Sequence, residues 1–292
     1  MIQVAFLTMA STKAFHKDDH LALAPLRELG IDVVMVDWRD SLKDWSHIDL
    51  AVIRSTYDYI HYPKAFCAFL LDLTHQGVPL ANPASVVAWN YHKSYLLDMA
   101  HKGLPVIPSC QASSVNVHHF HSLAQTWGTD RLVVKPFVGA TSHGIVKIAL
   151  TDDEQDLREK LSHFPADGML VQPFLPQVEQ EGEFSLFYFG GEFSHAVVKK
   201  PKPGDFRVQE EFGGFSCTME PPELAVHTAA QILAAIDQPL LYARIDLIQT
   251  QKQFLLMECE LIEPQLFLSA HPPAAKHFAR AIAAAITLKT FQ

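Results

Sequence analysis

Residues 241–265 read LYARIDLIQTQKQFLLMECELIEPQ, two apolar runs joined by a polar turn, and acidic side chains stand in the middle of both. The runs have the length and composition of paired strands. Asp246, Glu258 and Glu260 interrupt them where a plain core strand would carry none. Alternate residues of a strand face the same way, so Glu258 and Glu260 share a face and Asp246 on the neighbouring strand can lie opposite them. Three carboxylates brought together raise one another's pKa unless a cation neutralises them. Oxygen ligands of this kind suit Mg²⁺ or Mn²⁺ shared with nucleotide phosphates. The competing reading is a solvated strand face with its carboxylates turned outward. Arg244, two positions before Asp246 and on its face, suits an anionic intermediate better than an apolar core.

Outward from this hairpin, the chain is mixed α/β. Residues 2–8, 31–37 and 49–54 are short strands of the buried type that alternate with helical patterns at 18–29 and 63–76. That alternation predicts a parallel, Rossmann-like sheet. No G-x-G-x-x-G follows the first strand, which argues against a dinucleotide site there. From residue 82 the pattern changes: a helical stretch runs from Asn82-Pro83 to Gly103, with Lys93 inside it. Strands follow at 131–136 and 144–148, a helix at 152–163 and a strand at 169–173. Gly190-Gly191 marks a hairpin, and alanine-rich helices at 223–236 and 274–287 are expected to cover one face of the last sheet.

Composition excludes several classes. A formal charge of −9 offers no footprint for nucleic acid. Cys67, Cys110, Cys217 and Cys259 are far apart with no C-x-x-C, as expected of reduced thiols rather than a zinc site or disulfide framework. The opening MIQVAFLTMASTK lacks a basic leader, and no run approaches the ~20 apolar residues of a membrane span, so the chain reads as cytoplasmic. The VHHFH run at 117–121 has no converging carboxylates, and Ser11, Ser55 and Ser142 lack a nucleophile-elbow setting.

The remaining chemistry is arranged in order along the chain. In VVKPFVGATSHGI, Lys135 ends a strand and a loop with Gly139, Ser142 and Gly144 follows. Such a loop can bring backbone N–H groups to phosphate oxygens, although a glycine-bearing hairpin with an edge lysine would read the same way. The lysine precedes the glycines and the loop joins strands, which disfavours a P-loop. VQPFLPQVEQEGEFS is an extended connector, able to pair with an adenine edge, with the acidic Glu183 beyond it for ribose hydroxyls. GDFRVQEEFGG offers Arg207 for phosphate. The glycine-bearing segments 139–144 and 201–214 have no periodic apolar face and are expected to form a lid. Arg54 ends a parallel strand where ligands approach such sheets, with Tyr57 and Asp58 next to it, as a substrate contact or as a locally paired arginine.

This series resembles the ATP-grasp superfamily of the glutathione synthetase and D-alanine–D-alanine ligase type over residues 82–270, with a matching N-terminal lobe. The resemblance implies a Rossmann-like lobe at 1–83 and two α+β lobes, at 84–173 and 174–292, clasping ATP. It implies that Lys93, Lys135 and Lys199 serve the nucleotide, that Gln172 and the backbones of Phe174 and Leu175 hold adenine, and that Glu183 takes the ribose. R-I-D and M-E-C-E are similar to the family's R-x-D and E-x-N metal signature, which makes Asp246, Glu258 and Glu260 ligands of Mg²⁺ or Mn²⁺, two ions in all. Glu260 departs from that signature by standing in place of Asn. The implied activity is an ATP-dependent carboxylate–amine ligase, with Arg244 and Arg207 in catalysis, an acylphosphate intermediate, and ADP and phosphate as products. Its partners would be small carboxylate and amine substrates, with no nucleic acid or membrane, and it is compatible with a homodimer. A cyclising ligase of cycloserine synthetase type, a phosphotransferase and a non-catalytic nucleotide-binding protein of the same fold stand as alternatives.

Overall fold

A computed structural model describes residues 2–13, 18–40, 43–139, 144–164, 168–208 and 212–291. The first sheet is parallel, with β1 (Ile2–Thr8), β2 (Ile31–Asp37), β3 (Leu50–Ser55) and β4 (Leu80–Ala81) in the order β2-β1-β3-β4. Helices α1 (Leu23–Glu28) and α2 (Pro63–His75) connect them. The expected helix at 18–29 opens as a 3₁₀ turn at Asp19–Ala22. There the Asp19 carboxylate is committed to Arg54 and Ser55 of β3 rather than to the helix end.

The helix expected across 82–103 is two helices, α3 (Ala84–Asn90) and α4 (Tyr95–His101). Lys93 lies in the turn between them because its N–H leaves the helical ladder and donates to the Phe137 carbonyl at 2.8 Å. The second sheet is antiparallel, built from β5 (Cys110–Ala112), β6 (Arg131–Pro136), β7 (Val146–Ala149) and β8 (Met169–Pro173) in the order β5-β8-β6-β7. It carries α5 (Val117–Trp127) and α6 (Glu154–Lys160). In α6, Asp153 and Asp156 exchange side-chain and backbone hydrogen bonds, the reciprocal cap that satisfies two free N–H groups at a helix start.

After the single turn of α7 (Gln177–Gln180) comes the third sheet, antiparallel in the order β11-β10-β9-β12-β13. Its strands are β9 (Glu183–Phe189), β10 (Glu192–Lys200), β11 (Phe215–Thr218), β12 (Tyr242–Gln249) and β13 (Phe254–Glu260), with helices α8 (Glu223–Ala234) and α9 (Ala274–Thr287). Gly190 and Gly191, both at positive φ, make the β9–β10 turn as such a hairpin requires. The two alanine-rich helices do not share a face of this sheet, contrary to the expectation from sequence. Phe184, Leu186 and Tyr188 of β9 join the core that holds Ala225, Ala229 and Ile232 of α8. The alternate residues Phe187 and Phe189 join the core that holds Phe278 and Ile282 of α9, together with Val4 and Phe6 of β1. The sheet is thus apolar on both sides, which is why its strands read as continuous hydrophobic runs.

His195 of β10 sits in the α9-side core, stacked on Phe187 with ring centroids 4.3 Å apart. Its Nε2 donates to the Leu266 carbonyl at 3.1 Å, which fixes the proton on that nitrogen. Burial pushes the imidazole down to about 4. An unfolded histidine takes up its proton as pH falls through about 6.5, whereas this one resists until about 4, so the stabilisation is complete above 6.5 and is lost between 6.5 and 4. The lost contribution is about 3 kcal/mol for such a shift. Urea unfolding at pH 7 and pH 4.5 should show a smaller acid loss for His195→Phe than for wild type. Parallel losses would remove this role.

Candidate active site

Strand β12 places Tyr242, Arg244, Asp246 and Ile248 on one face, and along it the surface changes character. Tyr242 belongs to the α9-side core, whereas Ile248 lines an apolar pocket at the other end. Between them lies a row of charges. Register sets Asp246 opposite Glu258 of β13 and Ser185 of β9, and sets Arg244 opposite Glu260. Arg244 donates to Asp246 from Nε at 3.1 Å and from Nη2 at 2.9 Å, to Glu260 from Nη2, and to the Gln265 carbonyl from Nη1 at 3.3 Å. Asp246 also accepts from Ser185 at 2.5 Å and pairs with Lys199 at 3.4 Å, and Lys199 pairs in turn with Glu183. Lys93 reaches this sheet from the turn between α3 and α4, donating to Glu258 and, at 3.2 Å, to the Gly139 carbonyl.

The charge demand inferred from three neighbouring carboxylates is therefore met by protein cations. Among the described residues no three His, Cys, Asp or Glu side chains converge as a preformed metal cage. Burial alone would raise Asp246, but Arg244 and Lys199 outweigh it and hold the carboxyl well below the usual range. Burial likewise opposes ionisation of Glu258, and Lys93 with Lys135 brings the balance below normal. At Glu260 burial prevails over Arg244, with Asp246 and Glu258 adding repulsion, and the carboxyl is held up to about 7. The oxygen donors still suit a hard divalent cation, since Glu258 and Glu260 each engage one carboxylate oxygen in an ion pair. Arg244, by contrast, spends four of its five N–H groups on Asp246, Glu260 and Gln265, so it orders the carboxylates.

The apolar pocket beyond Ile248 is closed by Val133, Phe174, Phe206 and Met257, with Lys135, Gln172 and Glu183 in its wall. Gln172 donates to Ser109 at 2.9 Å. The Phe174 N–H is donated to the Arg131 carbonyl and the Leu175 carbonyl accepts from Val178. Among the described residues this leaves the Phe174 carbonyl and the Leu175 N–H as the adjacent acceptor and donor of the connector. Lys135 is only 7% exposed and makes no hydrogen bond or ion pair among the described residues. Burial, with Lys93 beside it, lowers its pKa despite the attraction of Glu258.

Other sequence candidates lie elsewhere or do other work. Arg207 is held by Asp205 through Nη2 at 2.8 Å and stands over the Phe212 ring at 3.9 Å, at the pocket wall. The described part of 201–214 before the gap does carry apolar packing, contrary to expectation: Val208 is buried and Phe206 meets Phe174 edge-on, and both line the pocket together with Arg207. Ser142, the rest of 140–143 and residues 209–211 lie outside the described residues; Gly139 and Gly144 flank the first gap. Arg54 is 2% exposed, pairs with Asp19 at 2.7 Å and donates to the Pro264 carbonyl at 2.9 Å, the position of a tie between lobes. Asp58 is held by Trp38 and Arg39, and Tyr57 is half-buried with its hydroxyl pushed up by burial. Sequence reasoning missed Ser185, and also Asn82 and Asn90, whose amides clamp the backbone at Tyr242, Leu261 and Cys259. A fully buried Asn shows no periodic signal.

Among the described residues no helix is long and apolar enough to cross a membrane. Residues 103–265 match the family of the prokaryotic glutathione synthetase ATP-grasp domain, and residues 4–82 match the N-terminal domain of D-cycloserine synthetase DcsG. The cycloserine biosynthesis protein DcsG of Streptomyces lavendulae is 30% identical over 96% of this chain and 97% of its own length. The crystal structure of D-cycloserine synthetase DcsG superposes with a TM-score of 0.85 at 27% identity, covering 97% of this chain and 99% of the other. The D-alanine–D-alanine ligase of Bacillus anthracis shares the fold, with a TM-score of 0.69 at 14% identity over 99% of this chain and 97% of the other.

An unpaired buried ammonium is a cost the fold bears until an anion meets it. Lys135→Met should raise stability without ligand by about 1 kcal/mol and abolish the rise in melting temperature caused by MgATP. A variant less stable than wild type, or one still stabilised by MgATP, would count against the site.

Proposed function

The chain belongs to the ATP-grasp ligases of the prokaryotic glutathione synthetase type, and from that premise we propose how its own residues carry the reaction. It is an ATP-dependent, ADP-forming ligase that makes C–N bonds through an acylphosphate, and its family uses ATP with divalent metal ions. The observation that carries the assignment of residues is the continuity of one sheet face, from apolar pocket through buried lysines to the carboxylate row.

Adenine occupies the pocket floored by Ile248 and Met257, its amino edge donating to the Phe174 carbonyl and its ring nitrogen accepting from the Leu175 N–H. Glu183 takes the ribose hydroxyls, with Lys199 beside it. Lys93 and Lys135 face the phosphates, and Asp246, Glu258 and Glu260 would hold two Mg²⁺ or Mn²⁺ ions, which supply charge neutralisation of the phosphates when bound. A substrate carboxylate oxygen attacks the γ-phosphorus in line, the bond to the β,γ-bridging oxygen breaks and ADP leaves. A nitrogen then attacks the acyl carbon, the C–O bond to phosphate breaks, and phosphate departs as the nitrogen loses its proton. Positioning and preorganised charge do most of such work. Arg244 contributes by holding Asp246 and Glu260 in register.

Ring closure within one substrate is a second reading, favoured by the match of the N-terminal lobe to that of D-cycloserine synthetase. The two differ in product mass: cyclisation yields the substrate less one water, and condensation joins two substrates less one water.

ADP release measured across a panel of amino acids and dipeptides with Mg²⁺ tests the ligase reading. Glu258→Gln should lower turnover by about a thousandfold with the fold intact, given what loss of one charge-stabilising group costs. Near-normal ADP formation in that variant would make the carboxylate row structural.

A further inference from the structure

Two rings from different parts of the chain form the aromatic wall of the apolar pocket. Phe174 of the connector and Phe206 of the segment after β10 meet edge to face, with centroids 6.3 Å apart, and both line the pocket. A cation that does not itself line the pocket bridges them. Lys147 Nζ stands 4.7 Å from the Phe174 centroid and 5.1 Å from that of Phe206.

Strand register explains how the lysine gets there. Lys147 of β7 lies opposite Val133 of β6, and Val133 lines the pocket. Directly opposed residues share a face of a sheet, so the lysine leaves β7 on the pocket side. Its ammonium also pairs with Glu179 of α7 at 3.6 Å, a long contact between side chains 30% and 39% exposed and thus the weaker hold. One side chain therefore touches the connector, the helical turn that follows it and the segment after β10. The two rings are not held equally. Phe174 has a second cation, the Arg131 guanidinium at 4.5 Å, and its N–H donates to the Arg131 carbonyl. Phe206 is half-buried, and the cation over its ring is Lys147.

We propose that Lys147 is a positioning residue for the nucleotide, holding Phe206 against Phe174 so that the base meets a preformed aromatic wall. This rests on the adenine reading of the pocket and deepens it. The lysine touches neither the reacting atoms nor the phosphates, and acts through the ring. An ammonium is attracted to the face of a ring without needing a hydrogen bond from it, so one lysine can serve two rings at once. Without that cation Phe206 has more positions open to it in the free protein, and binding has to order it. The loss falls on affinity for the base, since an interaction made equally in ground and transition states changes binding and not the chemical step.

The test separates the base from the phosphates. Dissociation constants of MgADP and of adenosine, which carries the base without phosphate, are measured by titration calorimetry on the full chain. Lys147→Gln should weaken both about fivefold, as expected of a partly exposed cation over aromatic rings. Lys147→Arg, which keeps a cation able to stack on a ring, should restore both to within about twofold. Phe206→Leu should weaken both as well, and Lys147→Gln added to it should cost little more, because two residues acting through one contact do not add. Glu179→Gln should bind as wild type does. Unchanged binding in Lys147→Gln, a loss confined to MgADP, an equal loss in Glu179→Gln, or losses that multiply in the double variant overturns the proposal and leaves the adenine reading standing. Wild type that binds neither MgADP nor adenosine overturns the adenine reading, and this inference with it. Should Lys147→Gln not fold, Lys147→Leu, which keeps an apolar stem, is measured in its place.

Discussion

Strand β12 has to carry charge inside a sheet that is buried on both faces, and much else in the molecule follows from how that charge is compensated. An uncompensated ion there would cost several kcal/mol. The solution is a chain of shared ions: Lys199 joins Glu183 to Asp246, and Arg244 joins Asp246 to Glu260. Lys93, arriving from the turn between α3 and α4, supplies the cation for Glu258. Since that turn is also pinned by the Lys93 N–H on Phe137, the same residue couples the second sheet to the third. The break in the 82–103 helix is where both of these contacts of Lys93 are made.

A second set of ties fixes the first lobe. Arg54, Asn82 and Tyr242 reach across to the backbone after β13 or to β12 itself, and Tyr242 also donates to the Ile53 carbonyl at 2.7 Å. Their geometry is that of buried polar groups whose partners are backbone atoms, which leaves the side chains of the clamped segment unconstrained except through position. The third sheet and the segment after it are thereby tied to the end of β3. Attachment of the second sheet at its far side runs through the short connector at Phe174 and Leu175, residues that line the apolar pocket.

Much of this was legible from residue pattern. Period and length placed β1, β2, β6, β8 and α9, and the interruption of apolar runs by Asp246, Glu258 and Glu260 located the charged face. Where the pattern misled, a long-range partner overrode local propensity: Asp19 chose Arg54 over the helix end, Lys93 left the helix for Glu258, and α8 and α9 divided between two faces because β9 is apolar on both. Arg54 at a strand end reads equally as a ligand contact or as a locally paired arginine, and the fold supplies the pair, through Asp19 and the Pro264 carbonyl, while Nη1 has no partner among the described residues.

The glutamate at position 260, where the family signature has asparagine, is best understood through Arg244. An amide there would leave Nη2 of Arg244 with Asp246 as its anionic partner, and the guanidinium could turn part of its charge toward an incoming phosphoryl group. With Glu260 present, Nη2 serves two carboxylates, Nε serves Asp246, and one N–H of Nη1 goes to the Gln265 carbonyl. On the proposed reading, charge developing on the transferred phosphoryl group is then met chiefly by Lys93, Lys135 and the divalent cations that the family uses. On the same reading Arg244 braces the carboxylates of the row, and Lys135, whose side chain has no anion among the described residues, is the group that remains available.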